Sequence, residues 1–123
     1  MSEDTNRGTG RTARQMMSAP HSAVYFCPGS QPKTVLGSVN GGYFSDLATA
    51  LGRPDLVLRD ETALDDRYKL MALDVEAVVF DHAIDLGKTA ARSDNVAFLN
   101  ECADLYQRRT IQRLKERFHG SAA

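Results

Sequence analysis

Near the amino terminus, Gly8, Gly10, Arg11 and Thr12 stand together in the run Thr5-Asn6-Arg7-Gly8-Thr9-Gly10-Arg11-Thr12. Those residue types at that spacing suit a polyphosphate. Glycines let backbone amides curve around an anion, a helix beginning near Thr12 turns its positive end toward it, and Arg11 adds a full charge. The Thr12 hydroxyl would ligate Mg2+. Far along the chain, the apolar run at residues 75–80 delivers Asp81 and His82 to its carboxyl end, where open α/β sheets place their ligand-binding groups. Asp81 would bear on the same metal ion, and His82 has the acid–base range to orient water near neutral pH. A rival anion turn, Gly87-Lys88-Thr89, follows the same run, although Asp81 and Asp85 would set negative charge beside its phosphate. Each group also has a plainer reading: residues 8–12 as a tail leading into a helix, and Asp81-His82 as a solvated strand end with a capping carboxylate.

The remaining reactive side chains read as structural. His21 stands at the start of an apolar run and His119 near the chain end, both surface positions. Cys27 ends that run with no partnering base in view, so it reads as a buried thiol. Cys27 and Cys102 have neither metal-ligand spacing nor a disulfide framework, which points to a reducing compartment. Arg108, Arg109, Arg113, Lys115 and Arg117 would touch nucleic-acid phosphates, but their spacing among Gln107, Gln112 and Glu116 reads first as a solvated helix face.

Positioning these groups falls to a short list of elements. A short helix over residues 12–18 is stopped by Pro20. Residues 23–27 form a near-continuous apolar strand covered on both faces, ended by Pro28 and Gly29. Residues 29–42 are rich in Gly, Ser, Pro and Asn and read as a long surface loop. Phe44, Leu47, Ala48 and Leu51 fall at helical spacing before Gly52, and Leu56, Val57 and Leu58 make a second, short strand. Residues 75–80 are a third buried strand. A long final helix over residues 94–118 carries Val96, Leu99, Tyr106, Ile111, Leu114 and Phe118 as an apolar stripe that covers the sheet and would extend into a homodimer or other protein contact. Strands separated by helices predict an α/β fold with a small, largely parallel sheet of three or slightly more strands, flanked by helices.

Size and composition agree with that plan. The chain has 123 residues, 42% hydrophobic and 25% charged, as expected for one folded domain with residues 1–9 as loop or tail. A formal net charge of −1 gives no global field toward nucleic acid or an anionic membrane, so such binding would need a local patch. No apolar run approaches the roughly 20 residues a bilayer-spanning helix needs, and the expected location is the cytoplasm.

Taken together, the Gly10-Arg11-Thr12 turn and Val78-Val79-Phe80-Asp81-His82-Ala83 resemble the two motifs of the Walker family of phosphate-loop NTPases, over about residues 5–83. The resemblance is to small phage-encoded members, which would put the protein in a host cytoplasm. Thr5 replaces the first glycine, Arg11 the lysine, and His82 the acidic residue that polarises water in helicase-like members. The resemblance implies a domain that binds ATP or GTP with Mg2+ and hydrolyses it weakly or not at all. The alternative is a non-catalytic protein-interaction module, a small phage-type accessory protein that binds through its long loop or final helix.

Overall fold

The computed structural model describes residues 10–34, 38–71 and 73–122. Gly8, one of the expected phosphate-binding residues, and the whole of residues 1–9 lie outside them. The chain enters α1 (Thr12–Ser18) through a wide turn at Gly10 and Arg11, and Ala19 leaves helical geometry just before Pro20. There follow β1 (Val24–Cys27), α2 (Gly42–Ala50), β2 (Val57–Asp60), a single 3₁₀ turn (Glu61–Asp65), α3 (Arg67–Met71), β3 (Val78–Phe80) and α4 (Ala90–Ala122). The architecture is α/β, as the alternation of apolar runs implied.

The three strands are all parallel in the order β2-β1-β3. Central β1 is buried at every position, which is why its sequence is continuously apolar rather than alternating. Its side chains divide between two cores. Val24 and Phe26 face a cluster with Leu64, Leu70, Ile84 and Leu99, while Tyr25 and Cys27 face one with Met16, Ala48 and Leu56. The first cluster is roofed by the 3₁₀ turn, α3 and the start of α4; the second by α1 and α2. Phe26 and Phe80 stack across neighbouring strands with ring centroids 5.4 Å apart.

Registers of Val24 with Val57 and with Val78 align the carboxyl ends of all three strands, so Cys27, Asp60 and Asp81 meet at one end of the sheet. Entry into α2 needs glycine there, since Gly42 sits at φ +87° and a Cβ on it would lie 3.1 Å from Pro32.

The long loop before α2 does more than connect. Its Val39 N–H donates to Leu58 C=O and Ser38 bridges to Arg59, so the loop straps the outer edge of β2. At the sheet's opposite end Arg53 binds the carbonyls of Met16, Met17 and Pro20, closing the carboxyl end of α1, and pairs with Asp55. No described helix is long and apolar enough to cross a membrane.

Candidate functional site at the strand tips

The amino-terminal turn and the tip of β3, far apart in sequence, are neighbours in the fold. Thr12 Oγ1 donates to Asp81 Oδ2 at 3.0 Å and lies 3.2 Å from His82 Nε2. Gln15, one turn further along α1, accepts from the His82 amide and donates to Phe80 C=O. Gly10 lies against Arg14, whose guanidinium would sit 3.4 Å from a Cβ there. Beside these residues a shallow groove of about 380 Å³ is lined by Arg11, Arg14, Gln15, Ser18 and His82.

Asp81 itself faces inward. It is 2% exposed, and its oxygens are engaged: Oδ2 accepts from Thr12 and, at 2.7 Å, from the Tyr25 hydroxyl, while Oδ1 accepts from the Ala83 amide and stands 3.8 Å from His82 Nε2. A metal ion binding Oδ2 would have to displace Thr12 or Tyr25, since that oxygen already accepts two bonds. Among the described residues no group of three or more His, Cys, Asp or Glu is arranged to hold a metal. If Thr12 gives its proton to the Asp81 carboxylate, its oxygen is left to accept, and the arrangement suits the His82 tautomer with the proton on Nε2. Any base function of His82 would therefore use Nδ1.

Burial, and next the bond to Asp81, push the Tyr25 phenol above its ordinary value and keep it a donor. Burial also pushes the Cys27 thiol up, reinforced by Asp81 and Asp60 nearby, so the nucleophilic thiolate is suppressed.

Two further nodes at this end were not anticipated. Asp60, at the tip of β2, is buried and compensated by Lys33 at 3.0 Å and Thr62 at 2.9 Å. Arg92, in the first turns of α4, is the largest fully buried side chain among the described residues. It forms a fork–fork pair with Asp65, at 2.9 and 2.8 Å, and bonds Glu61 at 2.8 Å and Asp85 C=O at 3.2 Å. The guanidinium holds the Asp65 carboxyl below the usual carboxylate range. A sequence signal for Arg92 existed: it occupies the same helical face as Val96, Leu99 and Ala103, a charge on an apolar stripe.

The rival turn does lie between β3 and α4. Its amides, however, are spent locally: Gly87 N–H donates to Asp85 Oδ1 and Lys88 N–H to Asp85 C=O. Thr89 Oγ1 accepts from the Arg92 amide, capping α4.

The chain matches no protein-family model, no curated protein and no solved structure. A second surface stands apart from the strand tips. With 33 residues α4 is about 50 Å long, yet among its described side chains the last buried one is Ala103. Beyond it Ile111, Leu114 and Phe118 are 53%, 45% and 69% exposed. At about 100° per residue these three side chains fall within about 60° of one another, with Arg108 and Lys115 along one flank.

Proposed function

We propose that this chain is a non-catalytic protein-interaction module, an α/β body that presents the distal half of α4 to a partner protein. The observation that carries the reading is the uncovered stripe Ile111, Leu114 and Phe118 on a helix whose first half is anchored in the core. Its i, i+3, i+7 spacing is the anchor pattern of a helix seated in an apolar groove. Arg108, Arg109, Arg113, Lys115 and Arg117 outweigh Asp104 and Glu116 along the same half, five cations to two carboxylates, so the fitting groove has an acidic rim. Like charge also opposes laying two such halves side by side. The body contributes a fixed stem, which reduces the entropy lost when the helix docks.

The test is affinity capture from the source cell with the wild type and with a Leu114→Asp/Phe118→Asp variant, quantified by mass spectrometry. Expected is a partner with an acidic surface that the wild type retains and the variant loses, with the variant's thermal midpoint unchanged. A capture profile identical for both proteins would reject the reading.

A second reading is supported by the contact of Thr12 with Asp81 and by the basic groove beside it. In it the chain binds ATP or GTP with Mg2+, phosphates held by Gly8, Gly10 and Arg11, the metal by Thr12 and Asp81, with His82 orienting water and hydrolysis weak or absent. Ligand that binds only the native state raises the thermal midpoint. Magnesium with ATP or GTP at millimolar concentration should then raise it in the wild type and not in Arg11→Ala; no shift in either removes this reading.

A further inference from the structure

The two outer edges of the sheet are treated differently. The β2 edge is strapped by Ser38 and Val39. The β3 edge pairs with no strand among the described residues. Its register on β1 makes residues 77, 79 and 81 face inward, as the bonds from Val24 N–H to Ala77 C=O and from Asp81 N–H to Phe26 C=O show. The backbone groups of Val78, Phe80 and His82 consequently point outward. At the carboxyl end this edge is already occupied: the Gln15 amide takes Phe80 C=O and His82 N–H, the pair of bonds a neighbouring backbone residue would make opposite Asp81. That leaves Val78 N–H, Val78 C=O and Phe80 N–H without a hydrogen-bond partner among the described residues, on a strand that is only half-buried.

We infer that this open stretch of β3 pairs with the same stretch of a second copy, antiparallel about a two-fold axis through Val78. The free groups have the symmetry such a pair requires. Val78 offers donor and acceptor on one residue, so two Val78 residues facing each other exchange both bonds. Phe80 N–H of each copy then meets Glu76 C=O of the other, and the Gln15 bonds stay in place. Because the strap covers β2, the sheet can grow on one side only. Pairing therefore closes at two copies and a continuous six-stranded sheet rather than running on as a filament. Val78, Val79 and Phe80 supply the apolar side chains that such an edge contact shields from water. The inference is independent of the role proposed for α4.

Sedimentation and light scattering of the full chain across a dilution series, millimolar to sub-micromolar, test it against Val78→Pro. The Val78 N–H does not serve the ladder with β1, so proline there removes an outward donor and blocks the edge while sparing the intramolecular sheet. Expected is a dimer for the wild type that dissociates on dilution, and a monomer for Val78→Pro with unchanged far-ultraviolet circular dichroism. Amide hydrogen exchange of the wild type is read alongside, and decides if Val78→Pro does not fold. The Asp81 amide, bonded to β1, should be protected at every concentration, and the Phe80 amide only where the dimer is populated.

A wild type that is monomeric throughout would overturn the inference. So would a Phe80 amide protected in the monomer, since the edge would then be covered from within the chain. A dimer that survives Val78→Pro but is lost in Leu114→Asp/Phe118→Asp would overturn it too, placing the interface on α4.

Discussion

Along α4, residues 90–103 and residues 104–118 belong to one unbroken helix, and both carry an apolar stripe. In the first stretch Arg92, Asn95, Leu99 and Ala103 are buried, Asn95 donates to Leu64 C=O and accepts from Arg67, and Arg67 lies 4.2 Å over the Phe98 ring. In the second, Asp104 pairs with Arg108 and Gln112 with Glu116, each one turn apart on the helix itself. A lone helix of this length is marginal in water, so the second stretch draws its stability from continuity with the first. Hydrophobic periodicity says which face of a helix is apolar; it does not say what covers it.

That contrast can be broken most forcefully at Arg92. Replacing it with alanine deletes a wholly buried side chain and leaves Glu61 and Asp65, 18% and 43% exposed, without their partner, so lost packing and a partly screened pairing together should cost about 3 kcal/mol. Urea unfolding should show that loss, and a change under about 1 kcal/mol would mean the buried network is not what anchors the helix. Leu99→Ala in the same core should cost about 3 kcal/mol by the same measurement, the range for deleting a buried leucine side chain.

Acid should distinguish the halves next. The Asp65 carboxyl is held below its unfolded value by Arg92, so the unfolded chain binds more protons in that window. This contribution is fully present above about pH 4 and is lost as pH falls through the lower, folded value. The acid limb of stability against pH should therefore be shallower in Arg92→Met than in wild type, and unaltered in Leu114→Asp.

The smallest effect is expected in the distal half itself. Leu114→Asp and Phe118→Asp should change unfolding free energy by no more than about 0.5 kcal/mol, as for surface positions generally. A larger loss would mean the stripe packs on the body, and the docking role would fall.

Much of the architecture was legible because each strand is a local apolar run bounded by turn residues: 23–27, 56–58 and 75–80 became Val24–Cys27, Val57–Asp60 and Val78–Phe80. Errors of extent have local causes. Val75 is buried but lies ahead of the stretch of β3 that bonds to β1, which opens at Ala77 C=O, so its apolar character reflects packing rather than strand geometry. The final helix begins at Ala90, earlier than the expected start at residue 94, because Thr89 serves as the first-turn acceptor. The stripe on that helix was expected to cover the sheet and to run on into a protein contact; among the described side chains it is buried only as far as Ala103.

At the strand tips the legible part was which residue types gather, Thr12, Asp81 and His82. What could not be read was their occupancy. Asp81 takes its donors from Thr12 and Tyr25, 69 and 56 residues away, and Asp60 takes a charge from Lys33 across a loop. Gln15 carries no motif, and its backbone-like bonds to β3 depend on where α1 lies against the sheet. Such partners are set by tertiary placement.

The condition of Cys27 has a practical consequence. Its sulfur is wholly enclosed and disfavours ionisation, whereas Cys102 is half-buried on α4. An alkylating reagent should then modify Cys102 readily, and Cys27 only during moments when the central strand separates from its neighbours. The rate of that second labelling is a clock for opening of the whole sheet, readable by mass alone and needing no engineered reporter.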